Sequence, residues 1–143
     1  MSKIIWFTGN TGAGKTTLVK AIKAKVPNCI ILDGNEMRDS ISLGAGFSKE
    51  AREEHNLRVA RLAKVLQTQG YYILISVIAP FKSTREKIKE IINCDWVYVR
   101  GGKVGELYPY EIPDNPNSIV DGSLKTMTVD EEVTKVINDL KLV

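Results

Sequence analysis

The sequence predicts an α/β protein with three layers: a parallel sheet covered by helices on both faces. Three observations carry this expectation. Short apolar segments alternate along the chain with segments whose apolar residues recur at helical spacing. The first apolar segment runs directly into Gly9-Asn10-Thr11-Gly12-Ala13-Gly14-Lys15-Thr16 and then into a helical pattern. That segment also lacks polar alternation, as a strand buried on both faces should. With 143 residues and 43% hydrophobic content, residues 1–143 read as a single domain with an ordinary core.

The elements follow in order. Residues 3–8 form the first strand, and residues 15 to about 25 the first helix, with Leu18, Ala21 and Ile22 inward and Pro27 stopping it. Lys20, Lys23 and Lys25 suit the negative end of that helix. Residues 29–32 make a short second strand ending at Asp33-Gly34. Residues 35–47 read as a short helix followed by a Gly44-Ala45-Gly46 loop. Ser48 then caps a long helix with the stripe Val59, Leu62, Ala63 and Leu66, and Gly70 ends it. Residues 71–77 are the third strand. Ser83 and Glu86 have capping-box spacing for a helix ending near Ile92, and residues 96–99 form the fourth strand. Residues 101–125 carry so much glycine and proline that no regular element is expected there. Thr128 and Glu131 form a second capping box, and Val129, Val133, Val136, Ile137 and Leu140 the inner stripe of the last helix.

Bulk composition narrows the partners. The net charge of +3 comes from 20 basic and 17 acidic side chains without a block of one sign, which suits small anions and gives no basic stripe for nucleic acid. Cys29 and Cys94 lack paired or metal-like spacing and read as reduced core residues. The first strand begins at once and no apolar run has membrane-spanning length, so no membrane partner and a cytoplasmic location are expected.

Chemistry concentrates at the strand tips. In the turn at residues 9–17 (Gly9 to Thr17), glycines let successive N–H groups face an anion, and the following helix adds its positive end. Lys15 can reach the β and γ phosphates of ATP, and Thr16 offers a hydroxyl to Mg²⁺. The chain therefore reads as a P-loop kinase fold. A hydrolase of this class would place an acid at the end of a later strand, but the third strand ends in Ser76 and the fourth in Arg100. The acidic tip is Asp33. It could orient or deprotonate an acceptor hydroxyl, or help position the metal. Arg38 and Arg52 could fork onto an anionic acceptor, and Phe47 could stack on a flat base. His55 is the sole histidine and has no metal-ligand companions. Lys82 and Arg85 read as charges that meet solvent or phosphate without a fixed partner.

Five stretches in order make the chain resemble the adenylylsulfate kinase family: GNTGAGKTT at 9–17, LDGNEMR at 32–38, GFSKEAREEHNLRVARLAK at 46–64, SVIAPFKSTRE at 76–86 and PYEIPDNP at 109–116. The resemblance implies phosphorylation of the 3′-hydroxyl of adenylyl sulfate with ATP and Mg²⁺. It implies Asp33 and Lys15 as catalytic residues, and Arg38, Phe47, Arg52, His55, Ser76 and the backbone around Ile78 as the acceptor site. The sequence departs from the family at several points. Asn35 replaces the second aspartate of the family's DGDN motif, His55 stands where asparagine is usual, and Ala79 replaces a serine that some members phosphorylate. Only residues 100–108 span the place of a basic lid that closes over the nucleotides in other members. Arg100 or Lys103 is expected to replace it in part, or a neighbouring subunit of a homodimer to supply it. Two other readings keep the same motifs: transfer to a different nucleotide-like hydroxyl, or nucleotide binding without transfer.

Overall fold

A computed structural model describes residues 3–122 and 127–142. Five strands, β1 (Ile4–Thr8), β2 (Cys29–Asp33), β3 (Tyr72–Ser76), β4 (Cys94–Arg100) and β5 (Ser118–Asp121), form one parallel sheet in the order β2-β3-β1-β4-β5. Parallel neighbours need long crossovers, and helices supply them. These are α1 (Lys15–Lys23), α2 (Gly34–Arg38), α3 (Lys49–Gln67), α4 (Lys82–Ile91) and α5 (Val129–Leu140). Among the described residues no helix is long and apolar enough to cross a membrane.

Alternation along β1 divides the core in two. Ile5 and Phe7 face Leu18, Val19 and Ile22 of α1 and Val133, Val136 and Leu140 of α5. Ile4 and Trp6 face Val59, Ala60 and Ala63 of α3 and Ile88 of α4. Trp6 stacks on Trp96 with centroids 5.4 Å apart, and its Nε1 donates to the Val77 carbonyl at 2.9 Å, so a large side chain is buried without an orphan donor. The helices that leave β1 and β3 thus cover opposite faces. Their departure opens a crevice at the carboxyl ends of those adjacent strands, where ligands of such sheets bind.

Three local expectations need correction. Residues 118–121 form β5 inside the stretch expected to be irregular, whose residues 123–125 lie outside the described chain. The strand is held by partners distant in sequence: Asn117 N–H donates to the Trp96 carbonyl at 2.8 Å, Trp96 N–H donates to Asn117 Oδ1 at 2.8 Å, and Ser118 Oγ donates to Asp139 Oδ2 at 2.7 Å. Secondly, Ser83 and Glu86 make no capping box. Helix α4 starts at Lys82, and Glu111 Oε1 accepts its first N–H at 2.7 Å, so a carboxylate far along the chain does the capping. Lastly, Val129 is exposed and Val19 is fully buried, so the inner faces of α5 and α1 differ slightly from the expected ones.

Other signals appear in the structure where they were expected. Ser48 Oγ accepts from Ala51 N–H, and Thr128 and Glu131 form the reciprocal box. Burial raises the thiol pKa of Cys29 and pushes that of Cys94 up to about 12, and both are free.

Candidate active site

The loop between β1 and α1 is set by close packing as much as by its own turns. A Cβ on Gly9 would lie 2.3 Å from the Val99 carbonyl oxygen, so no side chain fits there. Gly14, with φ at +103°, caps α1 in the left-handed region. Lys15 bends back over the loop and donates from Nζ to the carbonyls of Gly9 at 2.6 Å and Asn10 at 3.0 Å. Only 8% of the residue is exposed. Desolvation pulls the ammonium pKa down to about 8, and the nearby Asp33 charge opposes part of that shift.

Register brings the acid to this loop. Parallel pairing of β2 with β3 sets Asp33 beside Ser76, and Ser76 Oγ donates to Asp33 Oδ1 at 3.0 Å. Thr16 Oγ1 donates to the same oxygen at 2.9 Å, across the gap between the tips of β2 and the loop. Asp33 Oδ2 accepts from Asn35 N–H at 3.2 Å, so this residue is also the N-cap of α2. Helix capping and the bond to the β1–α1 loop therefore fall to one side chain.

A cleft of about 170 Å³ joins these groups. Thr11, Gly12, Lys15, Thr16, Asp33 and Ser76 line it, together with Arg38, Arg52, His55 and Ile78. The Phe47 ring lies beside it, 67% exposed, with the guanidinium carbons of Arg38 and Arg52 at 4.4 and 5.7 Å from its centroid. Both arginines are oriented by main-chain carbonyls: Arg38 Nη1 donates to Gly46 at 3.1 Å and Arg52 Nε to Phe47 at 2.8 Å. Neither has a carboxylate partner among the described residues, and burial together with Arg52 lowers the Arg38 pKa. Two cations without a carboxylate partner among the described residues therefore flank one aromatic ring. Of the other expected loop residues, Gly9, Asn10, Ala13, Gly14 and Thr17 do not line the cleft.

His55 is buried and shares a 2.7 Å hydrogen bond between its Nδ1 and Ser42 Oγ. Burial, then Arg38 and Arg58, hold its pKa down at about 4, so the ring is neutral at pH 7. The unfolded chain takes up this proton near the ordinary histidine value, and the folded chain resists it. Stability is therefore complete above that value and declines as pH falls through the window between it and about 4. We expect a loss of about 2 kcal/mol between pH 6.5 and 5 from this residue. Denaturant melts of the parent and His55→Gln should show a shallower slope in the variant over that window; identical slopes would contradict it.

The cleft also contains a residue that the sequence did not single out. Asn56 is 2% exposed, lines the cleft, and its Nδ2 has no hydrogen-bond partner among the described residues. A buried amide donor left unpaired is costly, so a ligand atom that accepts from it would restore the balance. Its signal was weak: one asparagine inside a helix, next to the more conspicuous histidine.

The short connection after β4 docks on the loop itself. Asn10 Nδ2 donates to the carbonyls of Lys103 at 2.7 Å and Tyr108 at 2.9 Å, and Lys103 N–H donates to the Thr11 carbonyl at 2.8 Å. Gly102, with φ at +84°, lies so close that a Cβ would meet the Thr11 oxygen at 2.5 Å. The cations expected to replace a lid line a separate cavity with Asn10 and Tyr98. Arg100 pairs with Asp121 at 3.5 Å, Lys103 Nζ lies 5.2 Å over the Tyr108 ring, and neither lines the cleft.

Fold and cleft define a P-loop nucleotide-binding protein of the kinase class. The family model described as Adenylylsulphate kinase matches residues 1–102, and the chain belongs to that family. A probable adenylyl-sulfate kinase of Pyrococcus abyssi is 39% identical, over 96% of this chain and 94% of its own. The adenylyl-sulfate kinase of Clostridium kluyveri is 30% identical, over 96% and 82% respectively. These alignments run over 165 and 166 positions, more than the 143 residues here, so the relatives carry residues without a counterpart in this chain. The solved APS kinase CysC of Mycobacterium tuberculosis, in complex with AMPPNP and APS, shares the fold with a TM-score of 0.85. It is 22% identical and each chain covers 98% of the other.

Proposed function

We propose that this chain is an adenylyl-sulfate kinase, moving the γ-phosphoryl group of ATP to the 3′-hydroxyl of adenylyl sulfate to give 3′-phosphoadenylyl sulfate and ADP. The observation that carries this reading is the Asp33 carboxylate held 2.9 Å from Thr16 in a cleft that also contains Lys15, Arg38 and Arg52. The loop amides and Lys15 take the phosphates, while Arg38 and Arg52 hold the anionic end of the acceptor, with Phe47 against its base. Asp33 orients the attacking hydroxyl and takes its proton as the new P–O bond forms and the bond to ADP breaks. The Mycobacterium tuberculosis protein was solved with AMPPNP and APS together, which agrees with two nucleotide sites in one cleft.

Mg²⁺ fits the residues present. Thr16 Oγ1 and the Asp33 carboxylate are hard oxygen donors on one side of the cleft, and a cation that keeps waters and takes phosphate oxygens needs few protein ligands. Bound there, the ion would neutralise charge on the β and γ phosphates. We place the protein in the cytoplasm and infer a homodimer, in which a neighbouring subunit covers the cleft that the short connection leaves open.

A second reading, transfer to another nucleotide-like hydroxyl, draws on the residues that the relatives carry and this chain lacks. Product identification separates the two. The chain is incubated with MgATP and adenylyl sulfate, and the product is resolved by ³¹P NMR. A new phosphomonoester on the 3′ oxygen is the expected result. No such product, with turnover on another hydroxyl compound, would replace this reading by the second.

A further inference from the structure

Arg85 was expected to meet solvent or phosphate without a fixed partner, yet it is 5% exposed and is bonded to the back of the cleft wall. Its Nε donates to the Ala79 carbonyl at 3.0 Å, and its Nη2 donates to the carbonyls of Pro80, at 3.2 Å, and Glu111. Tyr110 lies beneath the guanidinium, 5.4 Å from ring centroid to carbon. No carboxylate pairs with it among the described residues. A buried guanidinium without an ion partner is tolerated only where its fixed fork finds other acceptors, and here those acceptors belong to the main chain.

The segment it grips is unusual. Ala79 has φ at +47°, in the left-handed region that a residue with a Cβ rarely adopts, and it is fully buried. Ile78, Ala79 and Pro80 together line the cleft. The same segment is tied to the base of the phosphate loop: Thr8 Oγ1 donates to the Ile78 carbonyl at 2.5 Å and lies 2.8 Å from Tyr110 Oη. Glu111 N–H donates to the Pro80 carbonyl at 2.8 Å. The guanidinium therefore joins the cleft wall to residues 110–111, and Thr8 at the end of β1 is bonded to both of these in turn.

We propose that Arg85 is a positioning residue for the acceptor: it fixes the strained backbone of residues 78–80 so that this wall sits at the distance from the phosphate loop that in-line transfer needs. The inference rests on the acceptor reading of the cleft given above. Turnover of the parent chain with adenylyl sulfate tests that reading alone. If another compound proves to be the acceptor, the measurement below is made with that compound.

Arg85→Lys keeps the charge and loses the fork. The KM for the acceptor should rise about 10-fold or more, while the KM for MgATP stays within about twofold of the parent. Arg85→Met repeats the measurement without the charge, and its thermal midpoint shows how much stability the residue contributes. A residue that only supported folding would lower that midpoint and leave the acceptor KM of the folded protein unchanged. That result, or an equal rise in both KM values, overturns the proposal. Should neither variant fold, Tyr110→Phe removes only the hydroxyl facing Thr8, and a rise of about threefold in the acceptor KM alone is expected. Unchanged KM values there overturn the proposal equally.

Discussion

Asp33→Asn is expected to lower kcat for phosphoryl transfer by about 10²- to 10⁴-fold while costing only about 1 kcal/mol of stability. The reasoning depends on what asparagine keeps. Asparagine has one side-chain oxygen in place of two, so it keeps either the α2 cap bond from Asn35 N–H or the bonds from Thr16 and Ser76. The negative charge, the capacity to take a proton and one of these two acceptor oxygens disappear. Asp33→Ala would instead remove all three bonds, the cap included, and mix a larger folding effect with the chemical one. The variant that separates them is therefore asparagine. Steady-state kinetics with saturating acceptor provides the reading, and a kcat within about twofold of the parent would remove Asp33 from the proposed chemistry.

Lys15→Met should abolish turnover, by about 10³-fold or more, and at the same time make the nucleotide-free chain more stable. The two effects share one cause. Burial has lowered the Lys15 pKa to about 8, so its charge is held against a desolvation penalty while the loop contains no phosphate. The sign follows from linkage. An unfolded lysine binds its proton more tightly than this one, so stability rises with pH between about 8 and the ordinary lysine value of 10.5. Methionine removes the penalty at every pH but also the two bonds to the loop carbonyls, for a net gain on the order of 1–3 kcal/mol. Affinity of the parent for MgATP should weaken as pH rises through about 8, where Lys15 loses its proton. Calorimetric titration at pH 7 and 9 reads this, and Lys15→Arg should show no such decline, because arginine stays charged. An inactive variant with a lower melting temperature would contradict the account of Lys15 as a charge held for phosphate.

Legibility of the fold varied with the range of the interactions. The helical stripe through Val59 and Ala63, the box at Thr128 and Glu131, and the loop at residues 9–17 are local patterns, and sequence spacing alone carries them. Strand β5 was hidden because prolines and glycines surround its four residues, and its order comes from pairing with β4 and from Asn117 and Ser118 reaching across the chain. The same reason applies to α4: its cap is Glu111, which no window around Ser83 contains. Within the site, Asp33, Thr16, Arg38 and Arg52 were legible as residue types at strand tips and helix starts. The burial of Arg85 and the unpaired amide of Asn56 were not, since both depend on what the fold places around them.

Asp33, Thr16 and the two arginines meet in one cleft, and the proposed reaction requires that an acceptor bound at one end draws the phosphoryl group from the other. Steady-state release of ADP at saturating MgATP, measured with and without adenylyl sulfate, reads this directly. The expected result is release that depends on adenylyl sulfate and matches 3′-phosphoadenylyl sulfate formed mole for mole. ADP released at the same rate in both conditions would show that the bound nucleotide is hydrolysed without regard to an acceptor, and would contradict the assignment of Arg38, Arg52 and Asp33 to its recognition.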